Sequence, residues 1–240
     1  MLKCANLVKE FGGVLALAGV TMEVREGEIL GLVGPNGSGK STLINTITGQ
    51  YMPTSGKIQF LEVDITRVEP HRISHMGIAR TYQIPRPFHT MTVLENVEIS
   101  AIFGERKGTN LRQASEDALQ WLEFTGLAKY ARMPVSRLNL HQRKFLELSR
   151  ALGTHPRLLL LDEVMAGLNP SEIDESVEMI RKIHASGITI VIVEHLMRVV
   201  TSLSTRMVVL DQGRVIAEGE PGIVMQDALV VSAYLGKDYA

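Results

Sequence analysis

The feature that most constrains the fold is a glycine-rich segment that directly follows a short apolar run. The run, residues 29–33, is Ile-Leu-Gly-Leu-Val and has the composition of a buried strand. The next segment, residues 34–42, consists of Gly34, Pro35, Asn36, Gly37, Ser38, Gly39, Lys40, Ser41 and Thr42. It satisfies the pattern G-x-x-x-x-G-K-[ST], which predicts a strand, a tight loop and a helix in immediate succession.

Such a loop is suited to binding a string of phosphate groups. Its glycines allow backbone conformations in which successive N–H groups turn inward, and the positive end of the following helix attracts anions. The ammonium group of Lys40 can reach the outer phosphates, and the Ser41 hydroxyl can ligate a Mg²⁺ ion that bridges them. We therefore predict a nucleotide site at residues 34–42.

The composition fits one α/β domain or two closely joined subdomains. The chain has 240 residues, of which 45% are hydrophobic, and this is enough to bury a sizeable core. Its 25 basic and 26 acidic residues give a net charge of −1, which argues against a nucleic-acid partner. The single cysteine, Cys4, excludes an intramolecular disulfide.

The order of predicted elements indicates a parallel sheet with two additions. Strand-like runs come first, at residues 20–24, 29–33 and 57–60. A mostly helical segment over 90–153 follows, with helices expected at 92–103, 111–124 and 139–152 and a break at 104–110. Strands at 157–161, 188–193 and 207–210 then alternate with helices, the first of them at 171–185. This βαβ order is typical of a parallel sheet.

Two further apolar runs end in side chains that carry chemistry. Residues 158–161 are all leucine and lead into Asp162 and Glu163, and residues 191–193 lead into Glu194 and His195. Parallel strands deliver such residues to the carboxyl edge of the sheet, where the phosphate loop is also expected. Asp162 would hold Mg²⁺ through water, and Glu163 would act as the general base on the attacking water. The imidazole of His195 would contact the terminal phosphate and stabilise transition-state charge.

Taken in this order, the motifs resemble those of the ATP-binding subunits of ABC transporters, over essentially all 240 residues. The resemblance implies an α/β fold: a P-loop NTPase with a RecA-like parallel-sheet core, an N-terminal antiparallel β subdomain and an inserted α-helical subdomain. It implies a single ATPase domain over residues 1–240, with a catalytic core of 1–88 and 154–240 and a helical subdomain of 89–153.

The resemblance also implies roles for residues whose type alone says little. Phe11 matches the aromatic residue that stacks on adenine, and Gln83 matches the glutamine that contacts Mg²⁺ and the attacking water. His195 falls on the switch histidine of the family. The D-loop, which crosses the dimer interface in the family, is matched by Ala166, Gly167, Leu168 and Asn169.

One family motif, the signature, is altered in this chain. Where it usually reads Leu-Ser-Gly-Gly-Gln, the chain has Leu138, Asn139, Leu140, His141 and Gln142. In the family, the signature of one subunit closes over the γ-phosphate held by the other, and its two glycines permit the close approach. Losing one transition-state donor typically costs about 3 to 4 kcal/mol. Either this loss occurs here, or Asn139 and His141 compensate for it through their own polar groups.

Within the family, segments 84–97, 166–170 and 233–236 are most similar to the branched-chain amino-acid uptake subgroup. This implies an ATPase that uses ATP and Mg²⁺ to power the import of a small solute, although subunits for urea or amide uptake and for lipopolysaccharide export share much of the pattern. The implied partners are a second ATPase subunit in a homo- or heterodimer, transmembrane permease subunits and, indirectly, a periplasmic or extracellular solute-binding protein. The implied location is cytoplasmic, attached peripherally to the inner face of the cell membrane.

Two functions of other classes stay open. Related cassettes act on nucleic acid or ribosomes, but those usually have tandem cassettes, a coiled-coil insertion or zinc modules, none of which the sequence shows. A regulatory partner that binds ATP without hydrolysing it would explain the altered signature. The intact set of chemical residues argues against that regulator: Lys40, Asp162, Glu163 and His195.

Overall fold

A computed structural model describes residues 1–104 and 110–235 of the chain. Of the break expected over 104–110, residues 105–109 lie outside the described residues, and so does Gly236 of the segment 233–236. The chain forms two compact units, of which the first comprises Met1–Ile73 and Thr189–Ala240 and the second comprises Ser74–Ile188. The division into a core and a helical subdomain that the resemblance implies stays a prediction.

The described residues form the following elements in chain order. The strands are β1 (Leu2–Phe11), β2 (Val14–Val24), β3 (Ile29–Val33), β4 (Ser55–Phe60), β5 (Val63–Asp64), β6 (Ile78–Arg80), β7 (Leu158–Asp162), β8 (Thr189–Val193), β9 (Arg206–Asp211) and β10 (Arg214–Gly219). The helices are α1 (Lys40–Ile47), α2 (Pro70–His75), α3 (Val93–Ile102), α4 (Leu111–Phe124), α5 (Leu140–Gly153), α6 (Pro170–Ala185), α7 (Met197–Leu203), α8 (Pro221–Val224) and α9 (Ala228–Leu235). Within the described residues, no helix has both the length and the apolarity that a membrane crossing requires.

The first unit begins with an antiparallel sheet in the order β2-β1-β4-β5. This sheet confirms the N-terminal antiparallel β subdomain. The sequence pattern predicts no strand over β1, because the pairing of β1 with β2 shifts register between Cys4 and Leu7 and Asn6 has a positive φ of 49°. A bulge of this kind interrupts the two-residue alternation by which a strand is recognised in a sequence.

The first unit also contains the sheet that carries the glycine-rich loop, in the order β10-β9-β3-β8. Strand β3 lies between β8 and β9 and is parallel to both. Strand β10 pairs antiparallel with β9 and is the edge strand on that side of the sheet. Every residue of β3 and β8 is buried. Their runs are therefore continuously apolar rather than alternating, as expected for strands covered on both faces.

The second unit pairs β6 parallel to β7 and contains helices α3 to α6. Each of these four helices begins with a capping box, in which the N-cap side chain and the side chain three residues later exchange hydrogen bonds with the backbone. The pairs are Thr92 with Glu95, Asn110 with Gln113, Asn139 with Gln142, and Asn169 with Glu172. These caps fix the helix starts close to the expected positions, because capping depends only on neighbouring residues.

Candidate functional site

In the first unit, residues 34–42 form a loop between β3 and the N-terminus of α1. Two of its glycines lie where no side chain fits. A Cβ atom on Gly34 would lie 2.0 Å from the Leu210 carbonyl oxygen, and one on Gly39 would lie 2.7 Å from that of Ala16. Gly39 also has a φ of 107° at the N-cap of α1, a conformation that favours glycine. Gly34 and Gly39 are therefore required by the packing of the loop against β9 and β2.

The loop is held by the backbone of two neighbouring segments. Inside the loop, the N–H group of Ser38 donates to the Pro35 carbonyl over 3.2 Å. The turn between β9 and β10 then bonds to it, since Gly213 donates to the Ser38 carbonyl over 2.9 Å and accepts from Ala18 of β2 over 2.8 Å. These bonds connect the loop to both sheets of the first unit and fix its shape.

Lys40 is enclosed by the loop that it follows. Lys40 is only 5% exposed. Its Nζ donates to the carbonyl oxygens of Gly34, over 2.7 Å, and Pro35, over 2.9 Å. It also donates to the Ser38 hydroxyl over 3.4 Å. Asn36, Gly37 and Ser41 are exposed. The loop therefore combines exposed backbone with one positive charge, an arrangement suited to phosphate oxygens.

Phe11 lies at the end of β1 and is 40% exposed. Its ring meets that of Tyr51 edge to face, with centroids 5.1 Å apart and an interplanar angle of 78°. The backbone N–H of Tyr51 donates to the Asn45 carbonyl of α1 over 3.1 Å. Tyr51 thus links the aromatic residue predicted to stack on adenine with the helix that follows the phosphate loop, a connection that the sequence analysis missed.

His195 is exposed just after the end of β8. Because β3 and β8 are adjacent and parallel, residues 34–42 and His195 follow strands that end at the same edge of the sheet. The first unit therefore places the phosphate loop and His195 on one edge, as the sequence predicts.

In the second unit, Asp162 at the end of β7 is paired with a cation. The Arg80 guanidinium donates to the Asp162 carboxylate over 3.0 Å, and both side chains are about nine-tenths buried, with exposed fractions of 9% and 10%. The Thr81 hydroxyl accepts from the Asp162 backbone N–H over 3.3 Å. A carboxylate taken out of water needs such partners, and together they hold Asp162 in one orientation.

Glu163 follows in a strained backbone conformation. Its φ is 49°, a left-handed value that costs of order 1 to 3 kcal/mol outside glycine and that often marks functional sites. The Gln83 amide donates to the Glu163 carboxylate, so the structure brings these two predicted residues together. Lys144 of α5 donates to the Glu163 carbonyl oxygen over 3.2 Å.

The altered signature adopts a regular helix start. Asn139 is the N-cap of α5, and its Oδ1 accepts from the Gln142 N–H over 2.8 Å while the Gln142 side chain accepts from the Asn139 N–H over 3.0 Å. The Oδ1 atom of Asn139 accepts the capping hydrogen bond, and the Nδ2 group of the same side-chain amide is a hydrogen-bond donor. Leu138 is buried, whereas Leu140 is 44% exposed.

His141 and the D-loop differ in exposure. The His141 ring packs against Phe145, with centroids 4.3 Å apart, and its Nε2 lies 3.7 Å from the Glu175 carboxylate of α6. Ala166, Gly167 and Asn169 of the D-loop are exposed and Leu168 is half-buried. A Cβ on Gly167 would lie 3.2 Å from Leu140 Cδ2, so the D-loop and the signature of this chain are in contact.

Two charged residues of the second unit, Arg80 and Lys144, were given no role by the sequence analysis. Lys144 is 5% exposed and lies next to Phe145 in the buried stretch of α5. A charged side chain at a position that helical periodicity assigns to the core is the signal that points to such a residue, because an ion is buried only beside a partner.

Comparisons with known proteins agree with these features. The family model described as "ABC transporter" matches residues 17–166. The high-affinity branched-chain amino acid transport ATP-binding protein BraF of Pseudomonas aeruginosa is 36% identical, over 99% of this chain and 98% of the relative.

Two solved structures are similar over most of their length. The ADP conformation of MJ1267, an ATP-binding cassette of an ABC transporter, is 37% identical with a TM-score of 0.88, over 98% of both chains. The cassette MJ0796, a dimer bound to ADP and Pi in a post-hydrolysis state, is 26% identical with a TM-score of 0.83, over 92% of this chain and 99% of that one. These similarities confirm the α/β fold class expected from the sequence.

Proposed function

The chain belongs to the ABC transporter family, and from this premise we propose that it is the subunit that binds and hydrolyses ATP to power the import of branched-chain amino acids. The observation that carries the proposal is the loop of residues 34–42, whose shape is fixed by close packing and whose lysine is enclosed by it. The name of BraF supports this solute over urea, amides or lipopolysaccharide. We retain the proposed division into a core, 1–88 and 154–240, and a helical subdomain, 89–153.

The first unit supplies the groups proposed to bind the nucleotide. Phe11 offers an exposed aromatic face to adenine. The loop offers backbone N–H groups and the Lys40 ammonium to the phosphates. Oxygen ligands of the kind that Mg²⁺ prefers are present on Ser41 in the first unit and on Gln83 and Asp162 in the second. Bound Mg²⁺ would neutralise charge that develops on the phosphates.

Three side chains are proposed to serve hydrolysis. Glu163 would accept a proton from the attacking water, and Gln83, which already donates to this carboxylate, would orient the water and the base. His195, exposed at the edge that carries the loop, would contact the terminal phosphate. A regulatory partner that binds ATP without hydrolysing it would not require a strained, hydrogen-bonded carboxylate at Glu163, so we favour an ATPase.

A second ATPase subunit is proposed to complete the site, and the dimeric state of MJ0796 supports this. The signature of this chain would then face the nucleotide of its partner. Because His141 is packed against Phe145 and Glu175, we assign the donor role to Asn139, through Nδ2. A partner with an unaltered signature would give a dimer with one strong and one weak site, whereas a homodimer would have two altered sites.

This assignment predicts that Asn139→Asp lowers ATP hydrolysis at the site that the signature completes by about 10²- to 10³-fold, the effect of losing one oxyanion donor. Aspartate keeps the capping oxygen but replaces two N–H donors with a negative charge that faces the phosphate. Asn139→Ser retains a donor and should keep most of the activity. The measurement is steady-state ATPase activity of the assembled dimer.

The matched control is Asn110→Asp, which makes the same change in an equivalent Asn–Gln capping box at the start of α4. It should leave the ATPase rate within about twofold, since a cap contributes typically about 1 kcal/mol to stability only. Equal activity of Asn139→Asp and Asn110→Asp would show that Asn139 is only a cap.

The further partners are proposed to be transmembrane permease subunits and, through them, a solute-binding protein, with this chain attached to the cytoplasmic face of the membrane. Residues 84–98, after Gln83, are our candidate for the permease-facing groove. Ile84 and Phe88 in this segment are exposed, at 72% and 44%. Exposed apolar side chains of this size are common where a partner binds.

The proposed function predicts that the reconstituted transporter hydrolyses ATP faster when its solute-binding protein carries leucine, isoleucine or valine than when it carries none. The measurement is ATPase activity in proteoliposomes together with uptake of labelled leucine, with urea as the comparison solute. Stimulation by urea alone would reject branched-chain amino acids as the solute. Uptake without hydrolysis by this chain would favour the regulatory partner.

A further inference from the structure

Lys144 is a buried lysine in the second unit, on the helix that begins with the altered signature. It is only 5% exposed, and the two residues that follow it in α5, Phe145 and Leu146, are buried as well. A lysine is almost never buried unless its ammonium group has a partner, because taking the charge out of water is costly. We therefore expect the Lys144 ammonium group to serve a defined contact.

One partner of this ammonium group is the backbone of the proposed general base. Lys144 Nζ donates to the Glu163 carbonyl oxygen over 3.2 Å, and the N–H of Ala166, the first residue of the D-loop, donates to the same oxygen over 3.3 Å. Hydrogen bonds from a charged donor are roughly twice as strong as those between neutral groups. The bond from Lys144 is therefore the stronger restraint on this carbonyl group.

Glu163 has a backbone conformation that needs such a restraint. Its φ of 49° lies in the left-handed region, and a residue other than glycine stays there only when the surrounding structure holds it. On the N-terminal side, the preceding Asp162 is fixed by Arg80 and by the Thr81 hydroxyl. On the C-terminal side, the two hydrogen bonds to its own carbonyl oxygen hold the peptide group that follows. The backbone of Glu163 is thus fixed on both sides.

The backbone conformation of Glu163 determines where its carboxylate points, because the side-chain rotamers open to a residue depend on its φ and ψ. In the observed conformation the carboxylate accepts a hydrogen bond from the Gln83 amide, the other group proposed to orient the attacking water. A backbone that relaxed out of the left-handed region would turn the carboxylate away from this position. The restraint on the carbonyl group therefore also acts on the carboxylate.

We propose that Lys144 is a positioning residue for ATP hydrolysis, which holds the backbone of Glu163 in the conformation that directs the carboxylate to the attacking water. The inference rests on the proposed function, because it assumes that Glu163 is the general base. Misplacement of a reacting group by about 1 Å can lower a rate by about a hundredfold. Lys144 therefore acts on the rate of hydrolysis and not on the affinity for ATP.

The test is Lys144→Met in the full chain with the membrane subunits present. Methionine keeps an unbranched side chain without the ammonium group, and the Glu163 carbonyl oxygen still accepts from Ala166, so the fold should persist. We expect kcat for ATP hydrolysis to fall about ten- to a hundredfold, while KM and the Kd for ATP stay within about twofold. Lys144→Arg keeps a charged donor and should retain kcat within about fivefold. The matched control Lys182→Met makes the same change at an exposed lysine of α6 and should leave kcat and KM unchanged.

A double-mutant cycle with Glu163→Gln shows whether Lys144 acts through the general base. The rate of single-turnover hydrolysis is measured for the wild type, for each single variant and for the two changes combined. Because no base is left to position, Lys144→Met should change the rate of Glu163→Gln by less than about twofold. An unchanged kcat in Lys144→Met, or a loss by the same factor in both backgrounds, would overturn the proposal.

A second measurement, hydrogen exchange at the Ala166 amide in nucleotide-free protein, keeps the proposal testable if Lys144→Met is less stable. This amide donates to the Glu163 carbonyl oxygen, so its exchange rate reports on the position of that group. We expect exchange at least about fivefold faster in Lys144→Met than in the wild type or Lys182→Met. An unchanged exchange rate at Ala166 would overturn the proposal even if kcat falls. Hydrolysis by the wild-type chain that Glu163→Gln leaves unchanged would instead contradict the proposed function.

Discussion

Replacing Glu163 with glutamine is expected to lower steady-state ATP hydrolysis by about 10²- to 10⁴-fold, the usual contribution of a general base. Glutamine has the same shape but accepts no proton from water. The Gln83 amide can still donate to the glutamine carbonyl oxygen, as it donates to Glu163 now, so the local structure should persist. ATP affinity should therefore stay within a fewfold of wild type, and the measurement is ATPase activity with the membrane subunits present.

A suitable control for this change is Glu178→Gln, which neutralises an exposed carboxylate of α6 that pairs with Arg181 over 2.6 Å. It should leave hydrolysis unchanged, because such pairs contribute little. Hydrolysis that does not depend on Glu163 under any condition would reject this residue as the base and favour the regulatory partner.

The same substitution separates the two dimer arrangements. If the partner subunit has an unaltered signature, it completes the site that binds ATP on this chain normally, and Glu163→Gln should stop most of the turnover. The equivalent substitution in the partner should then have a smaller effect, since the site it disables is already the weak one. Equal losses from the two mutants would reject the asymmetric dimer.

Replacing Lys40 with alanine is expected to weaken ATP binding by at least about a hundredfold, by analogy with the loss of one charged donor. Two effects combine. The change removes the positive charge proposed to reach the outer phosphates, and it leaves the carbonyl groups of Gly34 and Pro35 without the ammonium donor that the structure shows. The measurement is the Kd for ATP, with turnover measured alongside.

The overall fold should survive Lys40→Ala, because the side chain contacts the loop rather than filling the apolar core. Circular dichroism should be unchanged, and Tm should fall by only a few degrees, at about 2 to 4 °C for each kcal/mol in a chain of this size. The control Lys57→Ala removes an exposed lysine from β4 of the same unit. It should change neither the circular dichroism spectrum nor Tm. Full turnover by Lys40→Ala would reject the site.

Local sequence was sufficient wherever a structure is set by neighbouring residues. Helix α4 occupies Leu111–Phe124, the range expected from its periodicity. Helix α3 begins after Thr92 and ends at Ile102, because its capping box needs only residues that lie within one turn of each other. Strand β3 coincides with the apolar run that predicted it. The bulged strand β1 was missed, because its continuity depends on pairing with β2 and β4.

The contacts around the predicted site residues followed a different rule. Arg80 pairs with Asp162, Gln83 donates to Glu163, and Lys144 bonds to the Glu163 carbonyl oxygen. Each bond joins residues distant in the chain, and its existence depends on how strands and helices pack rather than on any motif. His141 illustrates the same point, because its Nε2 lies 3.7 Å from the Glu175 carboxylate of α6, although the family motif places this position beside a phosphate.

The sequence by itself determined that the chain has a phosphate loop, where its helices begin, and which residue types stand at the ends of its apolar strands. The reason is that caps, glycine turns and buried strands are fixed by residues within a few positions of each other. Only the tertiary structure decided what holds those residues in place, such as the Arg80 partner of Asp162 and the Gln83 amide that donates to Glu163. Those bonds join segments that are brought together by folding, and no local pattern encodes them.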